Sequence, residues 1–335
     1  MGNVFIYLSF GGPGAYQQCL FSLLSLCHFS TGVFKVFVVT DSKQFFEEYT
    51  NGLPVDFIQI SEPDIRAMRG EIDFIHRIKI AAIERVMEHY PEAEAYLYID
   101  SDTIVRQDLS AIASRISDRK SIMHLHEFYF PDTLKEPEGN LSRRLYEAIS
   151  RGEIFYYLNG SRLSPGCSFS SWNAGVIGIS RGNKQLLSGV YSLTDGFYKA
   201  IPHHAAEQFA FSYLLEKNTA IETCEKEVIH YWRGVQKGIA AEFFMKFFEK
   251  FRRAASAGER RKVFENGFVK LTHLLYSHVS WYQANAIYAF CENNYIRAYS
   301  WAFKAIMKNP LRRPRFILDV FYYTKLKCVQ ILKGK

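Results

Sequence analysis

Four short runs of apolar, aromatic and β-branched residues, VFIYLSF (4–10), FKVFVV (34–39), VDFIQI (55–60) and AYLYI (95–99), are separated by helix-length segments at 15–30, 43–50 and 74–89. Runs of this length and composition read as buried strands, and the last helical segment carries Ile75, Ile78, Ala82 and Val86 at helical spacing. Alternation of this kind demands an α/β fold with a mainly parallel sheet covered on both faces. Ligands of such sheets bind beyond the carboxyl ends of the strands, so the residues that follow each strand carry the functional search. With 335 residues, 48% of them hydrophobic, the chain has the means to bury a large core, which excludes disorder and collagen-like structure.

Charge is unevenly placed. The formal net charge is +7, yet residues 303–335 hold nine basic side chains (Lys304, Lys308, Arg312, Arg313, Arg315, Lys325, Lys327, Lys333, Lys335) against the single acid Asp319. The remainder, with 32 basic and 33 acidic residues, is close to neutral, so the chain is not a generally cationic nucleic-acid binder. Six scattered cysteines without a CxxC pair suit a reduced, cytoplasmic setting. The first 34 residues lack Asp, Glu, Lys and Arg, but no positive segment precedes them and GGPG, Gln17 and Gln18 interrupt the apolar run. Neither a secretory signal nor a transmembrane helix is expected, and the N-x-S sequons at Asn140 and Asn159 carry little meaning without such a signal.

Beyond Asp102 the expected elements are strands at 121–125, 174–180 and 227–231, helices at 141–150, 183–193 and 204–217, and a loop over 155–171. From about residue 238 onward the chain reads as helical, which places a boundary there; residues 294–310 look like one helical repeat unit. YLYIDSDTIV sets Asp100 and Asp102 directly after a strand and two residues apart, the spacing that points both carboxylates the same way in extended backbone. Two such oxygens suit a hard divalent cation, Mg²⁺ or Mn²⁺. Asp, Ser and Thr are also turn formers, and the short pattern alone serves either purpose.

The segment resembles the metal-binding D-x-D of GT-A fold glycosyltransferases, most closely those of glycosyltransferase family 8 of the bacterial lipopolysaccharide or capsule type. Other features follow in that family's order: Tyr16 after the glycine turn, Asp41 in VVTDS, Arg77 and Lys79 in HRIKIAAIERV, SWNAGVIGIS, AAEQFAFSYLL and VIHYWRG. The resemblance spans residues 4–237 and implies a GT-A, Rossmann-like mixed sheet over residues 1–237, followed by a helical C-terminal region over 238–335. It implies that Asp100, Asp102 and His230 hold Mn²⁺ or Mg²⁺, and that Tyr16, Asp41, Arg77, Lys79 and Ser101 contact a nucleotide-sugar donor, UDP-linked by preference. Glu207 would face the acceptor hydroxyl or the donor sugar, as a base or as an electrostatic partner, and Asn173 would line the sugar site. Gly234 and Lys237 stand at phosphate-contacting positions, although HYWRGVQKG has an extra residue before the glycine and no Pro-Trp after the lysine, and Glu207 replaces a frequent Asp. Trp172 and Trp232 are either sugar platforms or core residues.

The activity so implied is metal-dependent hexosyl transfer to a saccharide or lipid-linked acceptor in cell-surface polysaccharide synthesis. FFMKFFEKFRR (243–253) and the tail from Pro314 combine aromatics with basic residues, which suits an anionic membrane surface at the inner face of the cell membrane; for the first segment a packed helical subdomain is the equal alternative. No nucleic-acid motif accompanies the charge. A non-catalytic membrane adaptor that binds sugar nucleotides is the competing class. DSDTI also satisfies the D-x-D-x-[TV] of haloacid dehalogenase-like phosphatases, but three strand-length runs precede the one that carries it and no adjacent Asp-Asp pair follows. Nucleotidyltransferases are disfavoured because SFGGPGAYQQ lacks the Arg and Pro-Lys of their first loop.

Overall fold

The computed structural model describes residues 3–308 and 314–332, and the chain divides into two compact units, Met1–His230 and Tyr231–Lys335. The first unit is built on a seven-stranded sheet in the order Ala220–Thr223, Lys120–Met123, Val176–Ser180, Ala95–Ile99, Asn3–Ser9, Phe34–Thr40, Val55–Gln59. Along the central strands alternate residues belong to two faces. Val4, Ile6, Phe37, Val39, Tyr96, Tyr98, Ile177 and Ile179 enter one apolar cluster with residues of the helices Ile78–His89, Leu186–Ala200 and Ala206–Asn218. The intervening Phe5, Tyr7, Val36, Val38, Leu97 and Ile99 are equally buried, and Tyr7 meets Ser22 of the helix Pro13–Phe29 at 3.1 Å. Burial on both faces explains why these strands read as unbroken apolar runs rather than as an alternation.

The sheet is mainly parallel, and one reversed strand makes it mixed, as expected. Val176–Ser180 runs antiparallel to both neighbours, while the other strand pairs of the sheet are parallel. Val176 pairs with Ile99, so the residues entering this strand lie beside those leaving Ala95–Ile99. That single reversal brings the Asn173-Ala174-Gly175 segment to the acidic turn, where a parallel strand would present its far end.

Several elements depart from the sequence reading. The helix Glu62–Arg69 was hidden by its polar face but is marked by a capping box, Ser61 with Asp64. The segment expected as a loop contains the hairpin Tyr156–Leu158 and Ser161–Leu163, turned by Asn159 and Gly160 at φ 50 and 76, the left-handed pair that two-residue hairpins favour. It also contains the strand Ser170–Trp172, which pairs with His126–Tyr129. The helix expected at 183–193 instead spans Leu186–Ala200, and Ala220–Thr223 adds an unexpected edge strand.

The second unit contains the helices Gly234–Arg253, Ala257–Ser277, Val279–Cys291, Tyr295–Lys308 and Pro314–Leu332. Phe244, Phe247, Phe248 and Phe251 are buried, and the Phe247 ring packs so closely on Gly267 that no Cβ fits there. The aromatic repeat of the first basic segment is therefore core, while its lysines and arginines stay exposed. The helix Tyr295–Lys308 is arranged the other way round: Ala298, Ala302 and Ala305 are buried while Ile296, Phe303 and Met307 are exposed. Pro314–Leu332 likewise exposes Leu318, Phe321 and Tyr322. Arg312, Arg313, Lys333 and Lys335 of the basic tail, and Asn309 and Pro310 of the repeat-like segment, lie outside the described residues. No helix among the described residues is long and apolar enough to cross a membrane.

Candidate metal centre

The strand Ala95–Ile99 delivers Asp100 and Asp102 to the carboxyl edge of the sheet, and the Asp100 backbone N–H donates to the Gly175 carbonyl at 2.8 Å. This bond extends the antiparallel ladder by one step and ties the acidic turn to residues 173–175. After Asp102 the chain forms the short strand Thr103–Val105, which pairs antiparallel with Val228–His230, with His230 opposite Thr103. A two-stranded ribbon thus carries His230 back to the acidic pair. Its Nε2 lies 3.2 Å from Asp102 Oδ1 and 3.8 Å from Asp100 Oδ2. One ligand atom from each of the three residues falls within 4.8 Å of the others.

Lys79 lies beneath this group. Its ammonium is 3.3 Å from Asp100 Oδ2, 3.2 Å from Glu207 Oε1 and 3.0 Å from the Ala174 carbonyl, which uses all three of its donors. Burial alone would lower the Lys79 pKa, but the Asp100 and Glu207 carboxylates outweigh it and raise it, so the side chain stays charged. Glu207 stands in the first turn of the helix Ala206–Asn218, where the helix dipole favours a carboxylate. It is 4% exposed, and its Oε2 has no hydrogen-bond partner among the described residues. Asp100 Oδ1 accepts from the Tyr98 hydroxyl at 2.8 Å. Burial, followed by the Asp100 charge, pushes that hydroxyl well above its ordinary pKa and keeps it a donor. The His124 ring stands edge-on to His230 at 5.4 Å; burial, then His230, lowers its pKa to about 4, so it is neutral at neutral pH.

The donor set fits a divalent ion. Two carboxylates and one imidazole provide the hard oxygen and nitrogen ligands that Mn²⁺ and Mg²⁺ accept. His230 Nδ1 is engaged by Asn173 Oδ1 at 2.9 Å, which leaves Nε2 as the nitrogen facing the carboxylates. Asp100, Asp102 and Glu207 against Lys79 leave two negative charges in surplus, the charge that a divalent cation balances. Buried carboxylates without such balance are costly, and Glu207 Oε2 is in addition a buried acceptor without a hydrogen-bond partner among the described residues.

The structure therefore brings together Lys79, Asp100, Asp102, Asn173, Glu207 and His230 from residues far apart in sequence. Tyr16 and Asp41 form a separate pair at the end of the second strand: the Tyr16 hydroxyl donates to Asp41 Oδ1 at 2.8 Å, and the Gly11 N–H donates to Oδ2 at 3.0 Å. Ser101 spends its hydroxyl on the Leu8 carbonyl at 2.7 Å and so pins the acidic turn to the first strand. Arg77 is committed elsewhere, to both carboxylate oxygens of Asp195, to the Met68 carbonyl and to the Tyr191 ring. The Trp172 indole N–H donates to Glu216 at 2.9 Å. Trp232 and Lys237 belong to the second unit, Lys237 on the helix Gly234–Arg253. Sequence reasoning missed Tyr98, which stands two residues before Asp100 near the end of the strand. It missed Gly175 as well, whose lack of a side chain makes room for the His230 ring.

Fold and cluster define a mixed α/β protein with a carboxylate–histidine group able to hold a divalent metal at the carboxyl edge of its sheet. No family model and no curated protein matches the chain. Among solved structures it is similar to mouse xyloside xylosyltransferase 1 in its apo form, at 10% identity and a TM-score of 0.43, over 67% of this chain and 85% of that one.

Two substitutions test this geometry. A Cβ at position 175 would overlap the His230 ring, so Gly175→Ala is expected to weaken Mn²⁺ binding by about tenfold or more, read by titration calorimetry. Lys79→Met strands two carboxylates and is expected to cost about 3–5 kcal/mol in urea unfolding, whereas a loss below about 1 kcal/mol would contradict the buried ion pairs.

Proposed function

We propose that the first unit is a metal-dependent glycosyltransferase that moves a hexose or related sugar from a nucleoside diphosphate sugar, UDP-linked by preference, to a saccharide or lipid-linked acceptor. The observation that carries this reading is the largely buried cluster of Asp100, Asp102 and His230 joined through Lys79 to Glu207 Oε1, whose companion Oε2 is buried without a hydrogen-bond partner among the described residues. Transfer breaks the bond between the anomeric carbon and the diphosphate, which leaves negative charge on one side and electron deficiency on the other. Mn²⁺ or Mg²⁺, when bound, supplies positive charge to the departing diphosphate.

The chain's own residues divide the remaining tasks. Asp100, Asp102 and His230 Nε2 hold the cation, and Tyr98 and Lys79 orient Asp100 for it. Lys79 occupies Glu207 Oε1, and the buried Oε2, which has no hydrogen-bond partner among the described residues, takes the acceptor proton or stabilises positive charge at the anomeric carbon. Tyr16, packed against Phe45 and Phe46 with its hydroxyl on Asp41, provides a ring and a carboxylate for the nucleoside. Lys79 acts by holding the two carboxylates rather than by clamping phosphate, since its donors are spent. Arg77, saturated by Asp195, supports the fold rather than the donor.

The exposed Ile296, Phe303 and Met307, beside Lys304 and Lys308, support contact of the C-terminal helices with an anionic membrane surface. Such contact suits a cytoplasmic enzyme of surface polysaccharide synthesis that meets a lipid-linked acceptor at the inner face of the membrane.

Slow hydrolysis of the donor in the absence of acceptor provides the test. The full chain with Mn²⁺ and a panel of UDP- and GDP-sugars should release nucleoside diphosphate from at least one donor. Asp100→Ala, Asp102→Ala and Glu207→Gln should each reduce that rate by about 10²-fold or more. Undiminished hydrolysis in the aspartate variants, or no binding and no hydrolysis with any donor, removes the enzyme reading.

A further inference from the structure

Asn173 stands where the resemblance expects a contact to the donor sugar, yet both ends of its side-chain amide are engaged within the protein. Its Oδ1 lies 3.0 Å from the Gly175 backbone nitrogen and 2.9 Å from His230 Nδ1, and its Nδ2 lies 2.9 Å from Glu127 Oε1. Two of these contacts fix which way the amide points. A backbone N–H can only donate and a carboxylate can only accept, so oxygen faces Gly175 and nitrogen faces Glu127. The atom that meets His230 is therefore an acceptor, and Nδ1 must carry the hydrogen. A neutral imidazole has one N–H, so its lone pair falls on Nε2, which lies 3.2 Å from Asp102 Oδ1.

Glu127 is held in its turn. Its Oε2 accepts from Gln208 Nε2 at 2.7 Å and from the Ser171 hydroxyl at 3.1 Å, while Gln208 Oε1 accepts from the Ala174 N–H at 3.2 Å. The carboxylate is exposed, so its orientation comes from these donors rather than from burial. The result is a network linking the strand His126–Tyr129, the helix Ala206–Asn218 and residues 171–175 around one amide group.

We propose that Asn173, oriented by Glu127, is a positioning residue that sets His230 in the Nδ1–H tautomer and thereby turns the Nε2 lone pair, beside the Asp102 carboxylate, toward a divalent cation. Its task is to prepare the metal ligand rather than to touch the sugar. Ligand histidines generally depend on such a partner at the second nitrogen, and its removal weakens metal binding by about 10- to 100-fold. This inference rests on the metal-site reading above, but its first test does not.

In metal-free wild-type protein labelled with ¹⁵N-histidine, two-bond ¹⁵N–¹H spectra near pH 8.5, where an ordinary imidazole is neutral, should show His230 protonated on Nδ1. A hydrogen on Nε2 in place of Nδ1 overturns the proposal whether or not metal binds. Asn173→Ala should shift His230 toward the Nε2–H form and lower Mn²⁺ affinity about tenfold or more, with the melting temperature as the check on folding. The complementary exchange separates positioning from simple packing. Glu127→Gln and Asn173→Asp should each weaken Mn²⁺ binding, whereas the double variant restores a donor at 127 facing an acceptor at 173. Affinity in the double variant should return to within about threefold of wild type, the scatter expected of a matched pair. Wild-type affinity in Asn173→Ala, or a double variant no better than either single one, contradicts the proposal. If the wild type itself binds no Mn²⁺, the metal-site reading fails, and the tautomer still decides whether Asn173 positions His230.

Discussion

The buried ammonium of Lys79 is the interaction on which the site depends. It joins three pieces of chain with no local reason to meet: the end of the strand Ala95–Ile99 through Asp100, the segment leading into an antiparallel strand through the Ala174 carbonyl, and the start of a helix through Glu207. A buried ion pair is a poor source of stability, since desolvation offsets most of the attraction. Its value here is directional. With each donor assigned, one oxygen of Asp100 and one of Glu207 are fixed by the same ammonium, and the negative charge left over calls for a cation beside them.

The reversed strand Val176–Ser180 brings that lysine its carbonyl partner, Ala174. In a wholly parallel sheet every strand ends on the same side, and a carboxylate there meets only other strand ends and helix starts. Running one strand backward brings the start of a strand to the same edge, with the carbonyl of Ala174, the amide of Asn173 and the bare Cα of Gly175. Gly175 lets the His230 ring approach, Asn173 engages its Nδ1, and the ribbon Thr103–Val105 with Val228–His230 carries it in. The metal-binding group is thus a product of topology as much as of motif.

Much of this was legible in the sequence. The apolar runs marked the central strands because both faces of the sheet are covered, and the position of Asp100 and Asp102 just after a strand marked the carboxyl edge, although a turn at 101–102 rather than extended backbone carries them. Less legible was anything that depends on which way a polar side chain turns in the folded state. Arg77 and Lys79 look alike as cations on one helical segment, yet one is bound to Asp195 and the other is buried between two carboxylates. Glu127 and Gln208 had no signal as partners of Asn173, since their link crosses from a four-residue strand to a helix some eighty positions away. In the second unit an aromatic repeat with basic neighbours read equally well as a membrane face or a core. Tertiary packing decides between them, and Phe247 against Gly267 places it in the core.

The most direct test of this account is the position of the metal itself. Anomalous diffraction at the manganese edge from crystals of the full chain grown with Mn²⁺ should give one strong peak within about 2.0–2.3 Å of oxygens of Asp100 and Asp102 and of His230 Nε2, with Glu207 still bonded to Lys79. A peak bound through His230 Nδ1, a peak away from these three residues, or none at saturating Mn²⁺ would contradict it.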